Sequence, residues 1–159
     1  MSEDNKRHVG IPRLTNSSEF VEVIGIPRLT STNEDYLEAI YQLGGIDGQV
    51  RSSDLAGHLH VSKASVNTAI NTLKQAGLVK QPYYGGISLT ESGSVYAAQI
   101  LERHQVLCHF LIEVLGVAPQ VAEEEACLME HAICSDTLHR LSQHIQWFES
   151  QKTVKVENG

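Results

Sequence analysis

Apolar residues recur at helical spacing after residue 35. The residues on this apolar face are Tyr36, Leu37, Ile40, Tyr41 and Leu43. The stretch before them, residues 31–34, has the S-x-x-E form of a capping box, which predicts that order and the first helix begin at Ser31. A short second helix is predicted over residues 51–59. A third helix, capped by Ser62, is predicted to end before Gly77.

The pattern changes after Gly77 from helical to strand-like. Two short β-prone runs flank residues 83–86, whose sequence Tyr-Tyr-Gly-Gly is typical of a hairpin turn. Three helices followed by a hairpin are the element order of a winged helix-turn-helix. We therefore expect such a domain over residues 31–92.

The remaining residues, 93–159, are predicted to be all helical. A long helix is expected to begin at Thr90 or Ser92 and to run to about Leu115. Pro119 is predicted to open the next helix, which would run to about residue 134. The last helix is expected to be capped by Ser135 or Asp136. The fold class predicted from the whole pattern is mainly α.

The first 30 residues have a different character. The sequence Gly-Ile-Pro-Arg-Leu-Thr occurs at 10–15 and again at 25–30, and each proline interrupts any helix that would run through it. We interpret residues 1–30 as a mobile arm. Such arms commonly have no function, and the alternative is a segment that tracks along DNA through Arg13 and Arg28.

The third helix of the winged unit is the expected DNA-reading element, because its N-terminal residues would enter the major groove. Its small polar side chains permit close approach to base edges, and Lys63 and the helix N-terminus suit phosphate. The predicted DNA-binding residues are Arg51, Ser62, Lys63, Ala64, Ser65, Asn67, Thr68, Asn71, Lys80 and Tyr84. The alternative is a protein–protein module, but the outer positions lack the apolar residues that such a face requires.

The charge distribution supports this interpretation. The chain has 159 residues and a net charge of −7, yet residues 51–100 hold two acidic and four basic groups and are the only net-positive third. No apolar run is long enough to span a membrane, and no secretory signal is evident. We therefore expect a cytoplasmic protein, in which the three cysteines are free thiols or metal ligands.

A second group of polar residues lies near the end of the chain. Cys127, Glu130 and His131 stand at positions i, i+3 and i+4, so a helix would present a thiol, a carboxylate and an imidazole on one face. Such a set combines hard and soft metal donors.

Three further residues could complete a metal site. Asp35 and Glu38 form a carboxylate pair at i and i+3 on the first helix, and His104 lies midway along the long helix. A pair of acids is commonly a solvated face, and a lone histidine is commonly an ordinary surface or core residue. The combination of all three with the group at 127–131 favours a metal site.

Residues 31–145, about 115 of the 159, resemble the diphtheria toxin repressor and manganese transport regulator family of metal-activated transcriptional repressors. The stretches that carry the resemblance are 32–41, 61–79, 89–93, 103–104 and 125–131, the last with the form E-A-C-x-x-E-H. The resemblance implies that metal binds between a winged-helix domain and a helical dimerisation domain.

The resemblance also implies the metal ligands. It matches Asp35, Cys127, Glu130 and His131 with one metal position, and Glu38 and His104 with a neighbouring one that Cys127 and Glu130 can also serve. Asp35 and Glu38 resemble the manganese branch, whereas Cys127 resembles the iron branch. Cys108 stands where the iron branch has an ancillary glutamate. The missing third, SH3-like domain of the longer members favours the shorter, manganese-type architecture.

The expected function is therefore a homodimeric repressor, not an enzyme, that binds an operator in double-stranded DNA when Mn²⁺ or Fe²⁺ is present. Zn²⁺ and Co²⁺ are expected to bind in vitro. The expected dimer contacts are Val121, Leu128, Ala132 and Ile133. One alternative is a metal-independent winged-helix regulator. A small metalloenzyme is a weaker alternative, because no general base or nucleophile stands apart from the predicted ligands.

Overall fold

The computed structural model describes residues 29–83 and 85–157, with side chains described as far as residue 152. The arm predicted over residues 1–30 thus lies outside the described residues except for its last two, and Tyr84 lies outside them as well. The helices are α1 (Ser31–Gln42), α2 (Ser52–Leu59), α3 (Lys63–Gln75), α4 (Glu91–His109), α5 (Pro119–Met129) and α6 (Ser135–Glu157). The strands are β1 (Val79–Lys80) and β2 (Ser88–Leu89). This order confirms the predicted mainly α fold with an N-terminal winged helix-turn-helix.

Helix α1 is capped differently from the sequence prediction. Its N-cap is Thr30, whose hydroxyl oxygen accepts a hydrogen bond from the Asn33 amide at 3.3 Å, so Ser31 is already helical. Glu34, the expected partner in the capping box, is only 1% exposed. The capping-box prediction was therefore wrong, because the carboxylate of Glu34 has its partners in the interior.

Helices α2 and α3 form the predicted helix-turn-helix. His60 adopts a left-handed conformation with φ of 54° and ends α2, and Ser62 then caps α3 by accepting a hydrogen bond from the Ser65 amide at 3.1 Å. The first apolar core lies beneath these helices, and its fully buried members include Leu37, Ile40, Leu55, Val66 and Leu73. The cap at Ser62 is confirmed.

The wing is a short antiparallel hairpin tied to the loop after α1. Val79 pairs with Leu89 in the sheet, and Ile87 forms an isolated bridge with Val50. The amide of Leu89 also donates to the Gly45 carbonyl at 2.7 Å. These bonds fix the wing against the same core that supports α3.

Helix α4 joins two apolar cores. Its N-cap is Thr90, one of the two predicted starts, and its first turns contribute Tyr96 and Ile100 to the core of the winged unit. Its last turns contribute Val106 and Leu107 to a second core with α5 and α6. The helix then continues in a π-helical turn over Phe110–Val114. His104 consequently lies between the two cores.

The boundaries of the last two helices differ from the prediction. Pro119 does open α5, but the helix ends at Met129, where the sequence pattern predicted about residue 134. The amides of residues 132 and 133 both bond to the Met129 carbonyl and close a turn instead. Helix α6 begins at Ser135, so Ser135 and Asp136 lie within its first turn rather than before it. None of the described helices is long and apolar enough to cross a membrane.

Candidate metal centre and DNA-reading face

Side chains from three parts of the chain meet between the two cores. Helix α1 contributes carboxylates, the middle of α4 contributes His104, and the end of α5 with the turn after it contributes a thiol, a carboxylate and an imidazole. The early end of α5 matters here. Glu130 is the C-cap of the helix, and His131 lies just beyond it. The two residues therefore do not share a helical face with Cys127 as predicted. The turn that holds them still brings Glu130 to His104 on α4 and His131 to Glu34 on α1.

The imidazole of His131 is held at both of its nitrogen atoms. Nδ1 lies 2.6 Å from Oε2 of Glu34, and Nε2 lies 2.9 Å from Oδ1 of Asp35 and 3.4 Å from Oε1 of Glu130. Burial alone would lower the pKa of His131, but the hydrogen bond with Glu34 and the charges of Asp35 and Glu130 outweigh it and raise the pKa.

The imidazole of His104 is held in the same manner on α4. Its Nδ1 lies 2.7 Å from Oε2 of Glu130, and its Nε2 lies 3.1 Å from Oε1 of Glu123. The hydrogen bond with Glu130 is the main reason that the pKa of His104 rises to about 9. The second oxygen of Glu123 accepts a hydrogen bond from the thiol of Cys108 at 3.2 Å. Burial is the main cause that raises the pKa of this thiol to about 11, and the hydrogen bond with Glu123 and its charge raise it further.

Carboxylates are crowded on the α1 side of this cluster. Burial raises the pKa of Glu38, and the nearby Glu130 raises it further. Burial also raises the pKa of Asp35, although the charge of His131 partly opposes the effect. Crowded carboxylates of this kind favour either protons or a cation.

Cys127 belongs to the same electrostatic environment. The residue is exposed overall, yet the pKa of its thiol is raised by its partly buried position and then by the charges of Glu130, Asp35 and Glu38. A cation near those carboxylates would lower the cost of forming the thiolate.

The described residues do not already form a coordination shell. No three of their histidine, cysteine or acidic side chains are arranged as ligands of one ion, and His104 and His131 are instead paired with carboxylates. One atom nevertheless fits a bound cation. Glu130 is fully buried, and its Oε1 has no hydrogen-bond partner within the described part of the chain. A buried carboxylate oxygen without a donor is costly, and a metal ion would satisfy it.

The six predicted metal ligands therefore fall into two groups. Asp35, Glu130, His131 and His104 are linked by ion pairs, and Glu38 is coupled to Glu130 by charge and a side-chain hydrogen bond, whereas Cys127 is linked to them only through the charges of the neighbouring carboxylates. Sequence reasoning missed two acids that contact the histidines. Glu123 stands four residues before Cys127 on the same helical face, and Glu34 stands three residues before the core residue Leu37. Helical spacing alone therefore indicated that Glu123 faces the site and that Glu34 faces the core.

The predicted DNA-reading residues lie mainly on the exposed surface of α3. On α3 and at its N-terminus, Ser62, Lys63, Ala64, Ser65, Asn67, Thr68 and Asn71 are all exposed, as are Arg51 before α2 and Lys80 on β1. The hydroxyl of Thr68 donates to the Ala64 carbonyl at 3.1 Å, so in this arrangement its oxygen is left to accept a hydrogen bond from a donor group on a base. Between α2 and the wing is an open hollow of about 500 Å³ that Arg51 and Ser52 line.

Comparisons with known proteins agree with this arrangement. Residues 28–87 match the iron-dependent repressor N-terminal DNA-binding domain, and residues 90–154 match the iron-dependent repressor metal-binding and dimerisation domain. A helix-turn-helix transcriptional regulator of Methanocaldococcus jannaschii is 35% identical over 119 residues, which are 74% of this chain and 95% of that protein. The transcriptional regulator MntR of Escherichia coli O157:H7 is 35% identical over 131 residues, which are 80% of this chain and 84% of MntR.

A solved structure gives the same result. A manganese-dependent transcriptional repressor in complex with manganese superposes with a TM-score of 0.65 at 28% sequence identity, over 72% of this chain and 52% of that one. The present chain thus spans about half the length of that repressor. Together the matched domains and relatives show that this chain belongs to the iron-dependent repressor family, the family of the diphtheria toxin repressor and the manganese transport regulator, whose members are metal-dependent DNA-binding transcriptional repressors rather than enzymes.

Proposed function

We propose that this protein is a cytoplasmic homodimer that represses transcription by binding operator DNA when Mn²⁺ or Fe²⁺ occupies the cluster between α1, α4 and α5. The observation that carries the proposal is the contact between Asp35 and His131. Asp35 belongs to the DNA-reading unit, yet its Oδ1 lies 2.9 Å from Nε2 of His131 in the second unit. A ligand bound at this contact acts on both units at once.

The proposed ligands are Asp35, Glu38, His104, Cys127, Glu130 and His131. A bound divalent cation would supply the positive charge that these crowded carboxylates lack. The oxygen donors suit Mn²⁺, whereas the thiol of Cys127 suits Fe²⁺ and also Zn²⁺ or Co²⁺. Oε1 of Glu130 supports a site at this position, because it is buried and accepts no hydrogen bond from the described residues although Nε2 of His131 lies 3.4 Å away.

The chain itself provides the route from this cluster to DNA. Asp35 and Glu38 are on α1, and Leu37 and Ile40 of the same helix pack in the core that supports α3. A fixed position of α1 against α4 and α5 therefore restricts where α3 can lie. In a dimer the two reading helices must reach major grooves about 34 Å apart or a multiple of that distance, so such a restriction favours the DNA-bound spacing.

The dimer contact is proposed on α5. Val121 is 45% exposed and Leu128 is 78% exposed, and the two residues are seven positions apart on one helical face. Ala132 is exposed next to them, whereas Ile133 already packs against the second core and contributes less than its sequence position suggests. Large exposed apolar residues on one face are typical of a protein–protein contact.

The test is a DNA-binding titration against Mn²⁺, Fe²⁺, Co²⁺ and Zn²⁺, carried out without oxygen because Cys127 can oxidise. We expect tight, sequence-specific binding only with a divalent ion present, and loss of this activation in Asp35→Asn. The matched control is Asp136→Asn, since the side chain of Asp136 is 72% exposed and pairs with Arg140 on the same helix. Equal DNA affinity with and without metal would favour the metal-independent regulator.

A further inference from the structure

Glu34 is the most buried acidic residue of helix α1 and is not among the proposed metal ligands. It is 1% exposed, although its neighbour Asp35 has a side chain that is 44% exposed. A buried carboxylate is costly unless donors compensate it. The position of Glu34 therefore needs an explanation beyond packing.

Three donors from two other parts of the chain meet this carboxylate. Oε1 of Glu34 accepts the hydroxyl of Tyr96 at 2.8 Å and lies 3.5 Å from the guanidinium of Arg103, both on α4. Oε2 lies 2.6 Å from Nδ1 of His131. The side chain thus joins α1, α4 and the turn after α5 in one buried network.

The contact with His131 has a specific chemical consequence. A carboxylate that accepts from Nδ1 holds the proton on that nitrogen. The ring is then oriented so that Nε2 faces Asp35 Oδ1 and Glu130 Oε1, at 2.9 Å and 3.4 Å. A histidine ligand whose other nitrogen donates to a carboxylate is fixed in tautomer and orientation.

We propose that Glu34 is a positioning residue that holds Nδ1 of His131 and so presents Nε2 to the metal. This inference rests on the proposed function, because it assumes that His131 is a ligand. Glu34 sets which nitrogen of the ring binds and at what angle, while Asp35, the next residue of α1, lies on the other side of the same imidazole. Two consecutive carboxylates of the DNA-reading unit therefore act on one side chain in different roles.

The test uses the full chain labelled with ¹⁵N-histidine and Zn²⁺, a diamagnetic ion, as the probe. In the wild type, we expect Zn²⁺ to shift the Nε2 resonance of His131 and Nδ1 to keep a slowly exchanging proton. Glu34→Leu removes the acceptor, so the Nδ1 proton signal should be lost and the Zn²⁺ affinity should fall about 10–100-fold. Glu34→Gln keeps an oxygen acceptor and should restore the proton signal and most of the affinity.

The control is Tyr96→Phe, which removes a donor from the same carboxylate but leaves the His131 contact. It should lower the melting temperature without changing the nitrogen signals of His131. If Glu34→Leu does not fold, Glu34→Asp takes its place, because the shorter side chain withdraws from Nδ1 and should lower the affinity in the same way.

Two outcomes separate this inference from the function on which it rests. Unchanged nitrogen signals and unchanged Zn²⁺ affinity in folded Glu34→Leu or Glu34→Asp would overturn the role of Glu34 alone. A wild-type His131 whose nitrogen atoms do not respond to Zn²⁺ would show that His131 is no ligand, and would overturn the proposed metal site together with the positioning role.

Discussion

The carboxylate of Glu130 meets the imidazole of His104 at 2.7 Å, and the same carboxylate is completely buried. This pair links the end of α5 to the middle of α4. The hydrogen bond with Glu130 is also the main cause that raises the pKa of His104 to about 9, so the imidazole is protonated at neutral pH. A metal that binds the imidazole of His104 would have to displace this proton.

The first prediction concerns the pH dependence of the metal-free protein. The pKa of His104 is about 9 in the folded chain and about 6.5 in an unfolded one. Its contribution to stability is therefore fully present below pH 6.5 and is lost as the pH rises through 9. The free energy of unfolding by urea, measured with a chelator present, should decline over this range.

His104→Gln should flatten this decline, since the amide does not titrate. His58→Gln is the matched control, because His58 is exposed on α2, away from the cluster, and should leave the profile unchanged. Parallel profiles for the wild type and His104→Gln would mean that the pair with Glu130 is not formed in solution.

The second prediction concerns the reading helix. Lys63→Ala should weaken binding to all DNA sequences and reduce the salt dependence by about one counterion, because a phosphate contact is lost. Asn67→Ala should instead relax base preference at one position, at a cost of about 1–3 kcal/mol for the preferred base. Binding assays over a series of salt concentrations and operator variants measure both. Unchanged affinity in both variants would contradict the assignment of α3.

The third prediction concerns Cys127, whose thiol has a pKa raised by burial and by the charges of nearby carboxylates. Because the thiolate is a soft donor, Cys127→Glu should lower affinity for Zn²⁺, Co²⁺ and Fe²⁺ while keeping or improving activation by Mn²⁺. Wild-type protein with bound Co²⁺ should show a sulfur-to-metal charge-transfer band in the near ultraviolet, and the variant should not. A wild-type complex that holds Co²⁺ but lacks this band would exclude Cys127 as a ligand.

The fourth prediction tests how the wing and α4 are joined. A Cβ atom on Gly93 would overlap the carbonyl oxygen of Leu78, which is backbone and cannot move aside. Gly93→Ala should therefore destabilise the fold by about 1–3 kcal/mol. Gly57→Ala is the control, since no atom lies within 4 Å of the added group on α2, and it should stabilise by about 0.5–1 kcal/mol. Equal unfolding midpoints for the two variants would refute the close contact.

Much of the fold could be predicted from local sequence signals. Three helix starts depend only on residues within one helical turn and could therefore be read from the sequence. They are the cap of α3 at Ser62, the start of α4 at Thr90 and the start of α5 at Pro119. Helix α1 begins at Ser31 as predicted, but its N-cap and the end of α5 could not be predicted in the same way. From local sequence Glu34 is a capping residue, because its hydrogen bond with Tyr96, 62 residues later in the chain, depends on the tertiary fold.

The candidate site shows the same limit. Spacing and resemblance indicated His104, Glu130 and His131, but not that Glu130 pairs with both histidines. That pairing depends on the distance between α4 and the turn after α5, which is set by packing of the second core. The contact of Glu123 with His104 depends on the same packing, because Glu123 reaches His104 only when α5 lies against α4.

The most direct test of the whole account measures metal affinity with and without DNA. If metal tightens DNA binding by some factor, DNA must tighten metal binding by the same factor. Isothermal titration of Mn²⁺ into the protein, alone and bound to its operator, should give that equal factor. Glu38→Ala and His104→Ala should reduce it more than they reduce thermal stability. A Mn²⁺ affinity that is the same with and without operator would contradict the claim that this cluster couples metal to DNA.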